Sequence, residues 1–157
     1  MCGIVGYVGP KSAVDIVVSG LKRLEYRGYD SAGVAVITAD GLSTRKKAGK
    51  LANLQEVIAN DPFEDSGIGI GHTRWATHGG PTDTNAHPHV SSDGSVAVIH
   101  NGIIENFAEI RAELTSLGIE LRSETDTEVV AHLLQIVLPT VDGDLMEAMR
   151  RVCRRLN

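Results

Sequence analysis

The sequence predicts an α/β (α+β) fold in a single domain that covers residues 1–157. Of its 157 residues, 42% are hydrophobic and 22% are charged, which is typical of a globular domain with a real core. Short β-type runs punctuated by glycine alternate along the chain with runs whose apolar residues recur at helical spacing.

The first half of the chain predicts strands separated by helices and one hairpin. Ser12, with Asp15 three positions later, marks the start of the first helix, and Gly41 marks the hairpin turn. The predicted elements, in order, are a strand over 3–9, a helix from 13, strands over 33–38 and 42–49, a helix over 51–59 and a strand over 66–77.

The second half begins with a long polar loop and then turns helical. Loops of this length in compact domains are often functional. The predicted elements are a loop over 78–94, a buried strand over 95–102, a helix capped by Asn106 and stopped by Gly118, a helix to 138 with a capping box at Thr125 and Glu128, and a helical stripe over 145–156. The last stripe has no stop signal, so we expect further elements after Asn157 and a domain that is truncated at its C-terminal side.

Charge and composition exclude several classes of partner. The net charge is −5, which disfavours binding to nucleic acid or to an anionic membrane. No apolar run is long enough to span a bilayer, and the N-terminus lacks the basic start of a signal peptide. The two cysteines, Cys2 and Cys153, are too few for a disulfide framework, so we expect a cytoplasmic protein.

Cys2 lies directly before the first predicted strand and has two interpretations. Removal of Met1 would leave one residue that carries both a thiol and an α-amine. An α-amine has a pKa of about 7.7–8.0, so it can act as a general base near neutral pH without burial. The alternative is a small buried hydrophobic residue at a strand start, and position alone favours neither.

Six separated motifs then carry a resemblance to a known family over essentially the whole chain. They are CGIVGYVG, RLEYRGYDSAG, GHTRWATHG, HPH at 87–89, HNGIIENF and SETDTE. In this order they resemble the glutaminase domain of the glutamine–fructose-6-phosphate amidotransferase (glucosamine-6-phosphate synthase) family. The resemblance implies a four-layer α/β/β/α fold of the N-terminal-nucleophile hydrolase type, which in the family continues through strands beyond this chain.

The resemblance also implies roles for individual residues. Cys2 would be the nucleophile, and Asn101 with Gly102 would stabilise the oxyanion, although Asn-Gly is more often only a turn. Arg74 would bind the α-carboxylate of glutamine, since a guanidinium meets a carboxylate with two bonds; its alternative is a surface arginine. Asp126 would bind the α-ammonium group, and its alternative is helix-start electrostatics in the first turn of a helix.

Weaker roles are carried over in the same way. The resemblance gives Thr77 and His78 hydrogen bonds to the amino-acid end of glutamine, and Trp75 would close over the substrate unless it simply packs. Arg27, Gly28 and His87 are expected to support the site.

We expect no metal and no cofactor. The spacing of His87 and His89 is poor for zinc, and the glycines at 67, 69 and 71 lack the helix that a dinucleotide site needs. The expected activity is hydrolysis of L-glutamine through a Cys2 thioester. In the full-length enzyme, isomerase domains would use the ammonia to convert fructose 6-phosphate, and we expect that enzyme to be a homodimer. The open alternatives are the glutaminase domain of another amidotransferase and an inactive glutamine-binding fragment.

Overall fold

A computed structural model describes residues 2–76 and 79–157. Its first half builds one antiparallel sheet with strand order β1-β4-β2-β3 and two helices. The elements are β1 (Gly3–Val8), α1 (Ala13–Leu24), a 3₁₀ turn (Glu25–Arg27), β2 (Ser31–Thr38), β3 (Gly41–Ala48), α2 (Leu51–Asn60) and β4 (Ile68–Arg74). Every element predicted here is present, and Ser12 Oγ accepts the Asp15 N–H at the start of α1 as expected.

One face of this sheet forms the first hydrophobic core, against α1 and α2. Alternate residues of β2 point toward the helices, as the two-residue period of a strand requires, and the first six residues of β2 are buried on both faces. The core residues are Ala13, Val17, Leu21, Ala32, Val34, Val36, Leu51 and Leu54. On the opposite face several apolar side chains are exposed, namely Ile4, Val8, Ile37 and Ile68.

The second half is mainly helical and has its own core. A two-stranded sheet, β5 (His89–Val90) with β6 (Ala97–Val98), precedes α3 (Phe107–Ser116), α4 (Glu128–Val137), a 3₁₀ turn (Leu138–Val141) and α5 (Leu145–Cys153). The core residues include Ile110, Leu114, Val129, Leu133 and Val152. None of the helices in the described part of the chain is long and apolar enough to cross a membrane.

Two local predictions in this half were wrong. The strand predicted over 95–102 is only two residues long, and its residues are half-buried. Thr125 and Glu128 do not form a capping box, because α4 begins after Thr127. The Thr125 hydroxyl is instead hydrogen-bonded to His89 Nε2 at 2.8 Å, and the Glu128 carboxylate accepts backbone N–H bonds from the preceding loop.

The Asn106 cap was only partly correct. Asn106 occupies the N-cap position of α3, but its side chain does not cap the helix. Its amide donates to the Arg155 carbonyl oxygen at 2.8 Å and accepts the Asn157 N–H at 3.1 Å. A side chain that reaches a distant segment has replaced the local bond that the sequence predicts. Gly118, with φ of +80°, follows the end of α3 as predicted.

Candidate active site

A pocket of about 240 Å³ opens where the two halves of the fold meet. It lies between the start of β1, the end of β4, the loop after β6 and the segment before α4. Its lining residues are Cys2, His72, Arg74, Trp75, His87, His100, Asn101, Gly102, Ile103, Thr125, Asp126 and Thr127. The structure therefore brings together seven of the site residues that the sequence predicts, although Cys2 and Asp126 lie 124 positions apart in the chain. The seven are Cys2, Arg74, Trp75, His87, Asn101, Gly102 and Asp126.

The pairing of β1 with β4 places Cys2. Gly3 lies opposite Thr73 in the antiparallel register, and its N–H donates to the Thr73 hydroxyl at 3.1 Å. Cys2 therefore lies beside the residues that follow β4, and its Sγ accepts the backbone N–H of Trp75 at 3.3 Å. The thiol also donates to the Trp75 carbonyl oxygen at 3.9 Å, so both backbone polar groups of Trp75 face the sulfur.

Arg74 is the last residue of β4 and is only 4% exposed. Its guanidinium donates to the carbonyl oxygens of Gly80 at 3.3 Å and Gly79 at 3.4 Å. Its own carbonyl oxygen accepts the Asp30 N–H at 2.7 Å, and the Asp30 carboxylate accepts the Ala76 N–H. Arg74 is thus a buried cation held at the pocket wall, not a surface arginine.

Asn101 and Gly102 follow β6 and are exposed at the pocket. The His100 ring packs beneath them, since a Cβ added at Gly102 would lie 2.7 Å from His100 Nε2. The His100 N–H donates to His87 Nδ1 at 3.3 Å, and His100 Nδ1 is hydrogen-bonded to Thr127 Oγ1 at 3.3 Å. Through His100, these contacts hold Asn101 and Gly102 at the pocket.

Asp126 is buried and lies just before the N-cap of α4, not in its first turn as the sequence predicts. Its Oδ2 accepts the Ile104 N–H at 2.8 Å, and its Oδ1 accepts the Thr127 hydroxyl at 3.3 Å. The carboxylate therefore ties the loop after Gly102 to the start of α4. It also lines the same pocket as Arg74, so the pocket carries one group of each charge.

Three histidine rings contact one another at the pocket, and two of them, His72 and His87, line it. The rings of His72 and His87 are stacked with centroids 4.5 Å apart, and His87 meets His89 edge-on at 4.6 Å. Burial, with the charge of Arg74 next, lowers the pKa of His72 from 6.5 to about 4. Burial, with Lys46 next, lowers the pKa of His89 to about 3, and burial also lowers that of His87. All three rings are therefore neutral near pH 7.

Within residues 2–76 and 79–157, no group of three or more His, Cys, Asp or Glu side chains could hold a metal ion. His87 has a role of another kind, because its Nδ1 accepts the backbone N–H of His100.

The remaining predicted residues lie around the pocket. Trp75 lines it and is 54% exposed. Gly28 lies against the indole, since a Cβ added there would be 3.1 Å from Trp75 Cζ3. The pocket lining includes neither Gly28 nor Arg27, whose guanidinium lies over the Tyr26 ring. Thr77 and His78 lie outside the described residues.

Sequence reasoning missed four residues that organise the site. Asp30 holds the segment after β4, His100 and Thr127 support the loop of Asn101 and Gly102, and Asn85 joins two loops. Asp30, His100 and Thr127 do lie inside the quoted motifs, close to residues that were singled out, and that proximity was the available signal. Nothing in the spacing around Asn85 indicated its contacts.

Comparison with known proteins gives relatives for nearly the whole chain. A glutamine–fructose-6-phosphate aminotransferase (isomerizing) of Streptomyces coelicolor is 67% identical over 156 residues, which are 99% of this chain and 25% of that protein. The enzyme of the same name from Thermus thermophilus is 56% identical over 154 residues, or 98% of this chain and 25% of its own length. The chain spans about a quarter of the length of these relatives.

Solved structures share the fold. The allosteric regulatory enzyme of purine biosynthesis matches with a TM-score of 0.81 and 26% identity over 99% of this chain and 33% of that one. Glutamine phosphoribosylpyrophosphate amidotransferase from B. subtilis matches with a TM-score of 0.76 and 26% identity over 100% of this chain and 33% of that one. They confirm the predicted α/β fold of the N-terminal-nucleophile hydrolase type.

The family follows from a sequence match that includes part of the pocket. The family described as "Glutamine amidotransferase domain" matches residues 58–140, which are more than half of the chain. This range contains Arg74, Asn101, Gly102 and Asp126. The chain therefore belongs to the glutamine amidotransferase domain family.

Proposed function

We propose that this chain hydrolyses the side-chain amide of L-glutamine to give glutamate and ammonia, with Cys2 as the nucleophile. The observation that carries the proposal is the composition of the pocket. A thiol, a buried guanidinium, a buried carboxylate and an exposed Asn-Gly pair all line about 240 Å³ of space. These are the groups needed to bind an amino acid at both of its charges and to attack its amide.

Arg74 and Asp126 bind the amino-acid end of the substrate in this proposal. A planar guanidinium suits the α-carboxylate, and a carboxylate suits the α-ammonium group. Both side chains are buried, so water screens their charges only weakly and their interaction with a zwitterion is stronger than it would be on the surface. Thr77 and His78 are assigned hydrogen bonds to the same end of the substrate.

The chemical steps require the α-amine that removal of Met1 would leave on Cys2. The amine takes the thiol proton, and the sulfur attacks the amide carbon to form a C–S bond. Asn101 and the Gly102 N–H donate hydrogen bonds to the oxygen that becomes negative. The C–N bond then breaks, the amine returns its proton to the leaving ammonia, and a γ-glutamyl thioester remains. Water, deprotonated by the same amine, cleaves the thioester and regenerates the thiol.

The surrounding residues hold this arrangement. Trp75 donates its backbone N–H to the Cys2 sulfur. Its indole would cover the bound substrate and exclude water. Gly28 leaves room for the indole, and Arg27 supports the same loop. His87 holds the oxyanion loop through the His100 N–H.

The high identity to glutamine–fructose-6-phosphate aminotransferases supports a specific acceptor. In the complete protein, ammonia would pass to isomerase domains that convert fructose 6-phosphate to glucosamine 6-phosphate. We propose a cytoplasmic enzyme that acts as a homodimer.

The proposal is tested on the complete product of the gene that encodes this chain, after mass analysis of its N-terminus. Protein without Met1 should release glutamate from glutamine, whereas Cys2→Ala and protein that retains Met1 should not. Activity of the Cys2→Ala variant above a tenth of the unmodified enzyme would refute the nucleophile. Inactivity of the Met-free protein would leave a glutamine-binding domain. Glutamate release without amination of fructose 6-phosphate would indicate another acceptor.

A further inference from the structure

We propose that Asn85 is a positioning residue that sets the spacing between the two charged groups of the pocket, Arg74 and Asp126. The inference rests on the proposed glutaminase function and adds a residue that neither the pocket lining nor the sequence motifs single out. Asn85 is 2% exposed and belongs to the segment between β4 and β5, which has no helix or strand of its own in its described part.

The Asn85 side chain bridges two loops that come from different parts of the chain. Its Nδ2 donates to the Gly80 carbonyl oxygen at 3.0 Å and to Glu124 Oε2 at 3.0 Å. Its Oδ1 accepts the Glu124 N–H at 3.0 Å. One buried amide thus makes three hydrogen bonds, and two of them reach the loop that leads into α4.

Each end of the bridge connects directly to one charged group. The Gly80 carbonyl oxygen that accepts from Asn85 also accepts from the Arg74 guanidinium at 3.3 Å. Glu124 lies two residues before Asp126, and the intervening Thr125 is fixed by its bond to His89. A displacement of Asn85 relative to either loop therefore changes the distance between the guanidinium and the carboxylate.

The bridge is also tightly packed. Gly79 has φ of +73°, and a Cβ added there would lie 2.7 Å from Asn85 Nδ2 and 3.0 Å from Glu124 Cβ. The backbone of Gly79, whose carbonyl oxygen accepts from Arg74, thus packs directly against the side chains of Asn85 and Glu124. Close packing lets the amide transmit position, because neither loop can move toward the other.

The segment has separate attachments to the first sheet. The Asp83 carboxylate accepts the Ala48 N–H at 2.7 Å and pairs with Lys47 at 2.8 Å, and Lys46 donates to the Thr84 carbonyl oxygen at 3.1 Å. Removal of the Asn85 side chain leaves these contacts to β3 intact and removes its three bonds, one to Gly80 and two to Glu124. We therefore expect a change in substrate binding without global unfolding.

Asn85→Ala and Asn85→Asp, in the complete gene product, test this role. Exposed Asn53, which makes a single side-chain bond to the Ala48 carbonyl oxygen, provides the matched control Asn53→Ala. In Asn85→Ala, KM for glutamine and the inhibition constant of L-glutamate should each rise about tenfold, which corresponds to the loss of about one hydrogen bond in free energy. kcat should stay within about twofold, since neither Cys2 nor the oxyanion loop contacts Asn85 in the contacts described.

Asn85→Asp separates bridging from simple packing. It keeps the acceptor for the Glu124 N–H but places a second carboxylate beside Glu124 Oε2, with Arg74 as the nearby cation. Two adjacent carboxylates share a proton at raised pKa, and that proton would restore a donor. The KM defect of Asn85→Asp should therefore shrink as the pH is lowered from 8 to 6, relative to the unmodified enzyme at each pH, while that of Asn85→Ala stays constant.

The possible results distinguish the inference from the proposed function. An active unmodified enzyme with unchanged KM in both Asn85 variants would overturn the positioning role and leave the glutaminase function standing. A fall in kcat with a lower Tm at unchanged KM would also overturn it, since that pattern indicates a structural role. Parallel pH profiles for the two variants would contradict the bridge. An inactive unmodified enzyme would overturn the proposed function itself, and the inference with it.

Discussion

Lowering the pH from 7 to 5 should destabilise the fold through the buried histidines at the pocket. His72 and His89 are buried and neutral, and burial lowers their pKa values from 6.5 to about 4 and about 3. The unfolded chain binds protons at these positions below pH 6.5, whereas the folded chain does not until the pH is much lower. Their stabilising contribution is therefore complete above pH 6.5 and is lost as the pH falls toward the folded-state pKa.

The size of the effect follows from proton linkage. Consider a group whose pKa is 6.5 in the unfolded chain and about 4 or below in the folded chain. Lowering the pH from 7 to 5 reduces the free energy of unfolding by about 2 kcal/mol for each such group. His72 and His89 together then cost about 4 kcal/mol, and His87 acts in the same direction. Carboxylates add little between pH 7 and pH 5 because their ordinary pKa values lie near 4. Burial raises the pKa of Glu128, but its hydrogen bonds lower it by more, to about 2.

Urea unfolding followed by circular dichroism measures the loss. A decrease of about 4 kcal/mol corresponds to a fall of about 2 M in the midpoint, at an m-value of about 2 kcal/mol/M. His72→Leu provides the comparison, since the His72 ring has no hydrogen-bond partner in the described structure. It should reduce the pH-dependent loss by about 2 kcal/mol. A midpoint that does not move between pH 7 and 5, or a His72→Leu variant with the full pH dependence, would refute the reasoning.

Three further predictions follow from the contacts of the site. Arg74→Lys should mainly raise KM for glutamine and Asn101→Ala should mainly lower kcat, and steady-state kinetics with the same signature for both would refute the separation of their roles. Gly33→Ala should destabilise the fold by about 1–3 kcal/mol in urea unfolding, because its Cβ would lie 2.1 Å from the His87 carbonyl oxygen. Gly28→Ala, at φ of +71°, should cost about 1–3 kcal/mol and change the tryptophan fluorescence; an unchanged spectrum would argue against the contact with the indole.

The first half of the fold could be predicted from the sequence because its signals are local. Ser12 caps α1 with a bond to a residue three positions away, and Gly41 with φ of +113° makes the hairpin turn. Position alone left Cys2 with two interpretations, and its role as nucleophile stays a prediction that rests on the resemblance. Pairing with β4 then determines what the thiol meets.

The rest of the site could not be predicted in this way, because long-range side-chain bonds replace local structure between β4 and α3. Asn85 bonds to a residue 39 positions away, and Ser92 to one 43 positions away. Thr125 looked like a helix cap by its spacing to Glu128, but its hydroxyl is used by His89, 36 positions away. Spacing rules describe neighbouring residues within one helix or strand, so they do not predict hydrogen bonds between side chains that lie far apart in the sequence.

The histidine rings at the pocket contact one another in the region where the two halves of the fold meet. They are polar, buried and neutral, unlike the apolar residues of the two hydrophobic cores. Gly33 has no side chain, which lets the loop that carries His87 approach β2 closely. His87 presents its Nδ1 to the backbone N–H of His100, the residue before Asn101. The histidines therefore hold the loop of Asn101 and Gly102 at the pocket that Cys2 also lines.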